Sequence, residues 1–512
     1  MLAQILSGAV LGVDAYIVKV EVDLGRGLPC MNVVGLPENA VREGRERVTA
    51  ALANAGFVLP PRRITVNLAP ADVPKSGSLY DLPLALGLLV AAGAIQAGRL
   101  EGTCVVGELG LDGSVRSVRG VLSIAARCRD ESGVHTLLCP AANAAEASVV
   151  EGLQVLAAPS LTAVMNHLCG GPRLQPLGQT GRQAPPDPAT RLDLADVKGQ
   201  QTARRALEIA AAGRHNMLMI GPPGSGKSML ARRLAGILPP FACNEAIEAT
   251  KVHSVAGILR PGQGLLQERP FRAPHHTVSD AGLIGGGNPP RPGEVSLAHT
   301  GVLFLDELPE FRRNALEGLR QPLEDGTLHI GRARIGVTYP ARFMLVAAMN
   351  PCPCGFYGSD GTRCVCSPLQ VERYVNRISG PLLDRIDLHV DVPPLSGARL
   401  TDERPGEASG TVRERVLAAR DRQLRRGDYA SHSASNADMG PRALREHCRI
   451  DAAGERLLRA AVQRLGLSAR AYHRVLRVAR TIADLAGEDR LGIAHLAEAV
   501  QYRSLDRPRP RH

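Results

Sequence analysis

The sequence predicts an α/β protein in three parts: an N-terminal α+β part, a central α/β part and a helical C-terminal part. Three observations predict it. At 512 residues the chain is longer than one hydrophobic core sustains. Apolar strand-like runs alternate with helical stretches over its first 395 residues. Beyond a polar stretch near 402–438, Arg-rich amphipathic patterns in 452–465 and 468–486 have the period of helices.

The elements follow in order. YIVKVEVDL, ITVNLAP, TCVVGEL and HTLLCP read as strands in residues 1–170, with Ala40–Ala55 helical between the first two. Leu82–Ile95, the longest apolar run, reads as a buried helix; it falls short of the ~18 residues of a membrane span. Residues 171–191, rich in Pro, Gly and Gln without periodicity, read as an exposed linker. A second α/β part covers 192–395, a connector 396–438 and a helical part 439–512. The opening MLAQILSGAVLGVDA lacks the basic stretch and cleavage pattern of a secretory signal, so a cytoplasmic protein with no membrane association is expected.

The net charge of +11 favours a polyanionic partner without naming one. Aromatic residues are only 3% and Trp is absent. Any nucleic acid would therefore be held through its phosphates by Arg and Lys more than by base stacking.

The apolar run Asn216–Ile220 leads into GPPGSGKS and then SMLARRLAGIL, the strand–loop–helix setting of a phosphate-binding loop. Gly221, Gly224 and Gly226 let backbone N–H groups approach phosphate, with Pro222, Pro223 and Ser225 completing the loop. Lys227 is placed to meet the β- and γ-phosphates of ATP, and Ser228 to offer its hydroxyl to Mg²⁺. A second apolar strand, Gly301–Leu305, ends in Asp306, a further Mg²⁺ candidate, and Glu307, the candidate base for an attacking water. A third, Arg342–Met349, ends in Asn350, which can position the same water.

Of eleven cysteines, seven are scattered singly and read as buried thiols. Cys352, Cys354, Cys364 and Cys366 instead form C-x-C, nine residues, C-x-C, a four-thiolate set suited to Zn²⁺; a redox pair or free thiols is the alternative. Thr327–Tyr339 reads as a β-hairpin on which His329, Arg332 and Arg334 are expected to share one face. His275 and His276 find no acidic or thiol partner at ligand spacing, so a loop sensitive to nucleotide is expected there instead of a metal site.

These residues carry a resemblance. DVKGQQTARRALEIAAAGRHNMLMIGPPGSGKSMLARRLAGILPP, FRAPHHTVSDAGLIGGG, RPGEVSLAHTGVLFLDELPEF, YPARFMLVAAMNPCPCG and RISGPLLDRIDLHVDVP closely resemble the magnesium-chelatase-like AAA+ proteins of the YifB/ComM group. The match extends to VVGLPENAVREGRERVTAAL and ITVNLAPADVPKSGSLYDLPLAL near the N-terminus. The resemblance implies a hexameric AAA+ ring with ATP at subunit interfaces and a helical lid. It implies that Arg385 is the arginine finger given to the neighbour and Arg470 the sensor-2 arginine. A surface ion pair of Arg385 with Asp384 or Asp387 is the alternative. By resemblance the activity is a helicase for branch migration in natural transformation, acting on single-stranded or branched DNA with loading or recombination proteins. The hairpin would then enter the central pore.

Residues 65–168 also resemble the proteolytic domain of Lon-type proteases. The nucleophile position falls at Leu79 and the lysine position at Leu122, so peptidase activity is not expected. Two alternatives to the helicase stand beside it: a magnesium-chelatase-type metal-insertion motor and a protein-remodelling chaperone.

Overall fold

The computed structural model describes residues 2–73, 75–178, 192–332, 335–358, 364–394, 406–426 and 435–503. Its N-terminal part is a seven-stranded mixed sheet. The strands are β1 Leu2–Leu11, β2 Asp14–Gly25, β3 Cys30–Val34, β4 Arg63–Ala69, β5 Thr103–Val105, β6 Thr136–Pro140 and β7 Gln154–Ala158. They lie in the order β3-β4-β2-β1-β5-β6-β7. β1 pairs antiparallel with β2 and β2 with β4, while the remaining neighbours are parallel. Helices α1 Asn39–Asn54, α2 Asp81–Ala91 and α3 Val121–Asp130 contribute to its core. Every residue of α2 is buried, as its unbroken apolar run requires. Part of the expected linker packs on this sheet: the Leu177 N–H donates to Val155 O at 2.9 Å. Residues 179–191 of it lie outside the described residues.

The central part is built on a five-stranded, wholly parallel sheet. After helix α4 (Gln201–Gly213) come β8 Met217–Ile220, α5 Lys227–Ile237, α6 Cys243–Ala256, β9 Phe271–Arg272 and β10 Val302–Leu305. A hairpin of β11 Thr327–Arg332 and β12 Ile335–Pro340 follows, then β13 Met344–Met349 and β14 Leu388–Asp391. The order is β9-β10-β13-β8-β14. Alternation sorts the side chains between two cores. Met217, Met219, Val302, Phe304, Met344, Val346 and Ala348 enter one, while Leu218, Ile220, Leu303, Leu305, Leu345, Ala347 and Met349 enter the other. With both faces covered, β8, β10 and β13 read as continuous apolar runs.

The C-terminal part comprises α7 Ser409–Arg425, α8 Pro441–His447, α9 Ala452–Leu465, α10 Ala469–Ala486 and α11 Ile493–Gln501. These helices join the first of the two central cores. α7 runs through the stretch expected as a polar connector, anchored by Val412, Val416 and Ala419. Among the described residues no helix is long and apolar enough to cross a membrane.

Several contacts fasten the N-terminal part to the central part, among them the Gly262 N–H donating to Ala142 O at 3.1 Å. The Ser254 hydroxyl of α6 donates to Glu146 Oε2 at 2.5 Å, and the Gly120 N–H donates to Ser254 O at 3.1 Å. At the β1–β2 turn, Gly12 presses on β12: a Cβ there would lie 2.6 Å from Val337 Cγ1.

Candidate active site

β8 lies between β13 and β14, so the loop leaving its carboxyl end sits where crossovers diverge to opposite sides. Gly221 opens that loop, and a Cβ on it would come within 2.1 Å of Val392 O, so only glycine fits. Gly226 (φ +92°) closes it as the cap of α5, whose first N–H groups have no partner within the helix. Lys227 Nζ donates to Gly221 O at 2.7 Å, Pro222 O at 2.9 Å and Asn350 Oδ1 at 3.2 Å. Burial pushes the Lys227 pKa down, with Asp306 and Glu307 opposing the shift. Phosphate entering the loop would restore the balance in favour of the ammonium.

Ser228 Oγ donates to Asp306 Oδ2 at 2.5 Å, putting the two Mg²⁺ candidates in contact. The other Asp306 oxygen accepts from the Glu307 N–H at 3.0 Å, which leaves the Glu307 side chain half-exposed at the edge of the site. Three strand ends thus meet: β8 through its loop, β10 through Asp306 and Glu307, and β13 through Asn350. The hydroxyl and carboxylate pair fits a hard divalent cation, which takes oxygen ligands.

His276 was expected to lack an acidic partner, and this is corrected: its Nδ1 lies 3.1 Å from Glu307 Oε2. The His276 ring also meets Phe311 edge-on, with centroids 6.4 Å apart. The segment after β9 therefore reaches the catalytic candidate directly. Local spacing could not reveal a pair so distant in sequence.

Arg385 and Arg470 lie elsewhere. Arg385 is buried, ion-paired with Glu324, and donates to Pro381 O at 2.8 Å. The pairs weighed with Asp384 or Asp387 do not form; Asp387 instead takes Arg474 and His215. Burial would raise the Asp387 pKa, but the Arg474 charge and the His215 hydrogen bond outweigh it and hold the carboxyl well below the usual range. Arg385, Arg470, Glu324, Asp384, His473 and Arg474 line one hollow that contains no residue of the phosphate-binding loop.

The hairpin forms as expected, and of the three residues placed on it His329 is the one with a described side chain. Leu328, Ile330, Val337 and Tyr339 point into the core, while His329 and Thr338 are exposed and bond to each other at 2.7 Å. Arg334 and the Arg332 side chain lie outside the described residues. Leu79 and Leu122 sit in the apolar core of the N-terminal part, so no nucleophile–lysine pair exists at those positions.

The four clustered cysteines converge, their sulfurs all within 4.8 Å of one another. Cys352 Sγ lies 3.3 Å from Cys354 Sγ and 3.8 Å from Cys364 Sγ, and Cys354 to Cys364 is 3.7 Å. Tetrahedral zinc with Zn–S bonds of about 2.3 Å sets sulfurs about 3.8 Å apart, so the set fits that ion. The Tyr357 N–H donates to Cys352 Sγ at 3.3 Å. Backbone N–H groups of Phe356 and Val365 favour the Cys354 thiolate and bring its pKa down to about 6.

Comparison with known proteins accords with this architecture. Residues 193–400 match the family described as magnesium chelatase, subunit ChlI, residues 20–143 that described as subunit ChlI of Mg-chelatase, and residues 406–503 its C-terminal counterpart. The chain is 45% identical to a YifB protein of Salmonella typhimurium over 99% of its own length and 98% of the relative's. It is 46% identical to the competence protein ComM of Haemophilus influenzae, again over 99% and 98%. A magnesium-chelatase 67 kDa subunit of Chlorobaculum tepidum is 26% identical over 45% of this chain and 31% of that protein. With relatives this similar from end to end, the chain belongs to the magnesium-chelatase-like YifB/ComM family.

Proposed function

We propose that the chain is an AAA+ ATPase that couples ATP hydrolysis to movement along DNA, acting as a hexameric branch-migration helicase in natural transformation and recombination. One observation carries the hydrolytic part: at the carboxyl edge of one parallel sheet Lys227 bonds to Asn350, and Ser228 bonds to Asp306, whose other oxygen accepts from the Glu307 N–H. In this site the loop N–H groups and Lys227 hold the phosphates, while Ser228 and Asp306 hold the Mg²⁺ of the nucleotide. The bound ion would neutralise charge on the phosphate oxygens. Glu307 takes a proton from the attacking water, which Asn350 helps to orient. Zn²⁺ at the four thiols is a structural ion in this proposal. Similarity to a competence protein and the +11 charge support DNA as the partner.

The test uses the full chain on forked and four-way DNA at stated low salt. ATP-dependent strand displacement is expected. Lys227→Ala should lose ATP binding, and Glu307→Gln should bind ATP but hydrolyse it at least ~10²-fold more slowly. ATPase stimulation by a chelatase partner complex or an unfolded protein, with none by DNA, would replace the helicase with a metal-insertion motor or a chaperone.

A further inference from the structure

The cysteine cluster does not stand apart from the nucleotide site. Asn350, which accepts from Lys227, is two residues before Cys352. From Cys352 the chain turns back at once: the Gly355 N–H donates to Cys352 O at 3.0 Å, and Gly355 takes a left-handed φ of +88°. That turn rests on the phosphate-binding loop. A Cβ built on Gly355 would lie 2.5 Å from Pro223 Cδ, 2.8 Å from Pro223 Cγ and 3.8 Å from Asn350 Cγ. Gly355 is therefore buried against the proline ring, and Cys352 is fully buried behind it.

A C-x-C turn has no regular hydrogen-bond ladder to hold its shape. A tetrahedral ion bonded to both of its sulfurs, and to the two of the returning C-x-C, would fix it. We propose that the four thiols bind one zinc ion whose role is to brace Pro223 and Asn350, so that metal occupancy sets the affinity of the site for ATP. The brace rests on the ATP-site assignment above; the metal site does not. Zinc here does no chemistry on the nucleotide. It sets the position of one wall of the phosphate-binding loop and of the amide that meets Lys227.

The experiment uses full-length protein purified without chelator. Metal analysis should give about one zinc per chain, and Cys366→Ser should give far less. Binding of a fluorescent ATP analogue is then measured on the zinc-loaded chain, on the chain stripped with a thiol-reactive mercurial and reduced again, and after zinc is returned. Stripping should weaken binding about tenfold, and zinc should restore it. Gly355→Ala should keep its zinc yet weaken ATP by a similar factor, because the added methyl displaces Pro223. Restoration by zinc and retention of the metal by Gly355→Ala separate a brace from a loss of fold. Cys30→Ser, at an exposed cysteine of the N-terminal sheet, should change neither zinc nor ATP binding.

A zinc content near zero would overturn the metal site. Full zinc content, with ATP affinity unchanged by stripping and by Gly355→Ala, would overturn the brace and leave the metal. A zinc-loaded chain that binds no ATP would overturn the nucleotide assignment, and the brace with it.

Discussion

Glu307 sits in the left-handed region at φ +53°, a strained backbone for a residue with a Cβ. Its carboxylate meets His276 Nδ1 at 3.1 Å. In that pose the carboxylate is engaged before any water arrives. His276→Ala should therefore free it and raise ATP turnover without DNA by up to about fivefold, the worth of a half-exposed polar contact, with ATP affinity unchanged. Steady-state turnover and a separate binding titration read the two effects; lower turnover at equal affinity would mean that His276 positions Glu307 for attack. The phosphate-binding loop and Asp306–Glu307 were legible in the sequence because their chemistry lies in short contiguous runs. His276 was not, because its partner is brought to it by the pairing of β9 with β10.

β8, β10 and β13 were legible because burial on both faces writes them as unbroken apolar runs. β1 was not, since GAVLG and the polar residues around it carry no period that separates a strand from a loop. α7 was hidden by its charge: Val412, Val416 and Ala419 hold it in the core beside buried Arg420 and Gln423, and most of its other side chains are polar or charged. β14 shows an element whose burial has a measurable consequence. Burial pushes the His389 imidazole down to about 3, with Arg503 adding to the shift. An unfolded histidine titrates near 6.5, so between that pH and about 3 the unfolded chain takes up a proton that the folded one refuses. Stability is then present above about 6.5 and is lost as pH falls, by at most about 1.4 kcal/mol per pH unit from this residue. His253 and His299, lowered by their own burial, act in the same direction. Denaturant midpoints at pH 7, 6 and 5 should fall steadily in the native chain and less steeply in His389→Leu; equal slopes would remove His389 from the account.

At the scale of the whole molecule, the phosphate-binding loop and the arginines fall into separate places. Lys227, Ser228, Asp306, Glu307 and Asn350 form one cluster, while Arg385 and Arg470 share the hollow around Glu324. If both arginines act on a phosphate, they act on one bound to another subunit, which makes the interface heterologous and the ring its natural closure. Two inactive proteins should then repair each other. Lys227→Ala subunits still carry intact arginines, and Arg385→Ala subunits still carry an intact loop. An equal mixture places a good loop against a good arginine face at about a quarter of random interfaces, so ATPase should return to a comparable fraction. Because Arg470 lies beside Arg385, it belongs to the same donated face. Arg470→Ala should therefore be rescued by Lys227→Ala but not by Arg385→Ala, since no interface in that second mixture has both arginines. Rescue between Arg385→Ala and Arg470→Ala would place Arg470 over its own subunit's nucleotide, and no rescue in any mixture would leave each chain hydrolysing ATP alone.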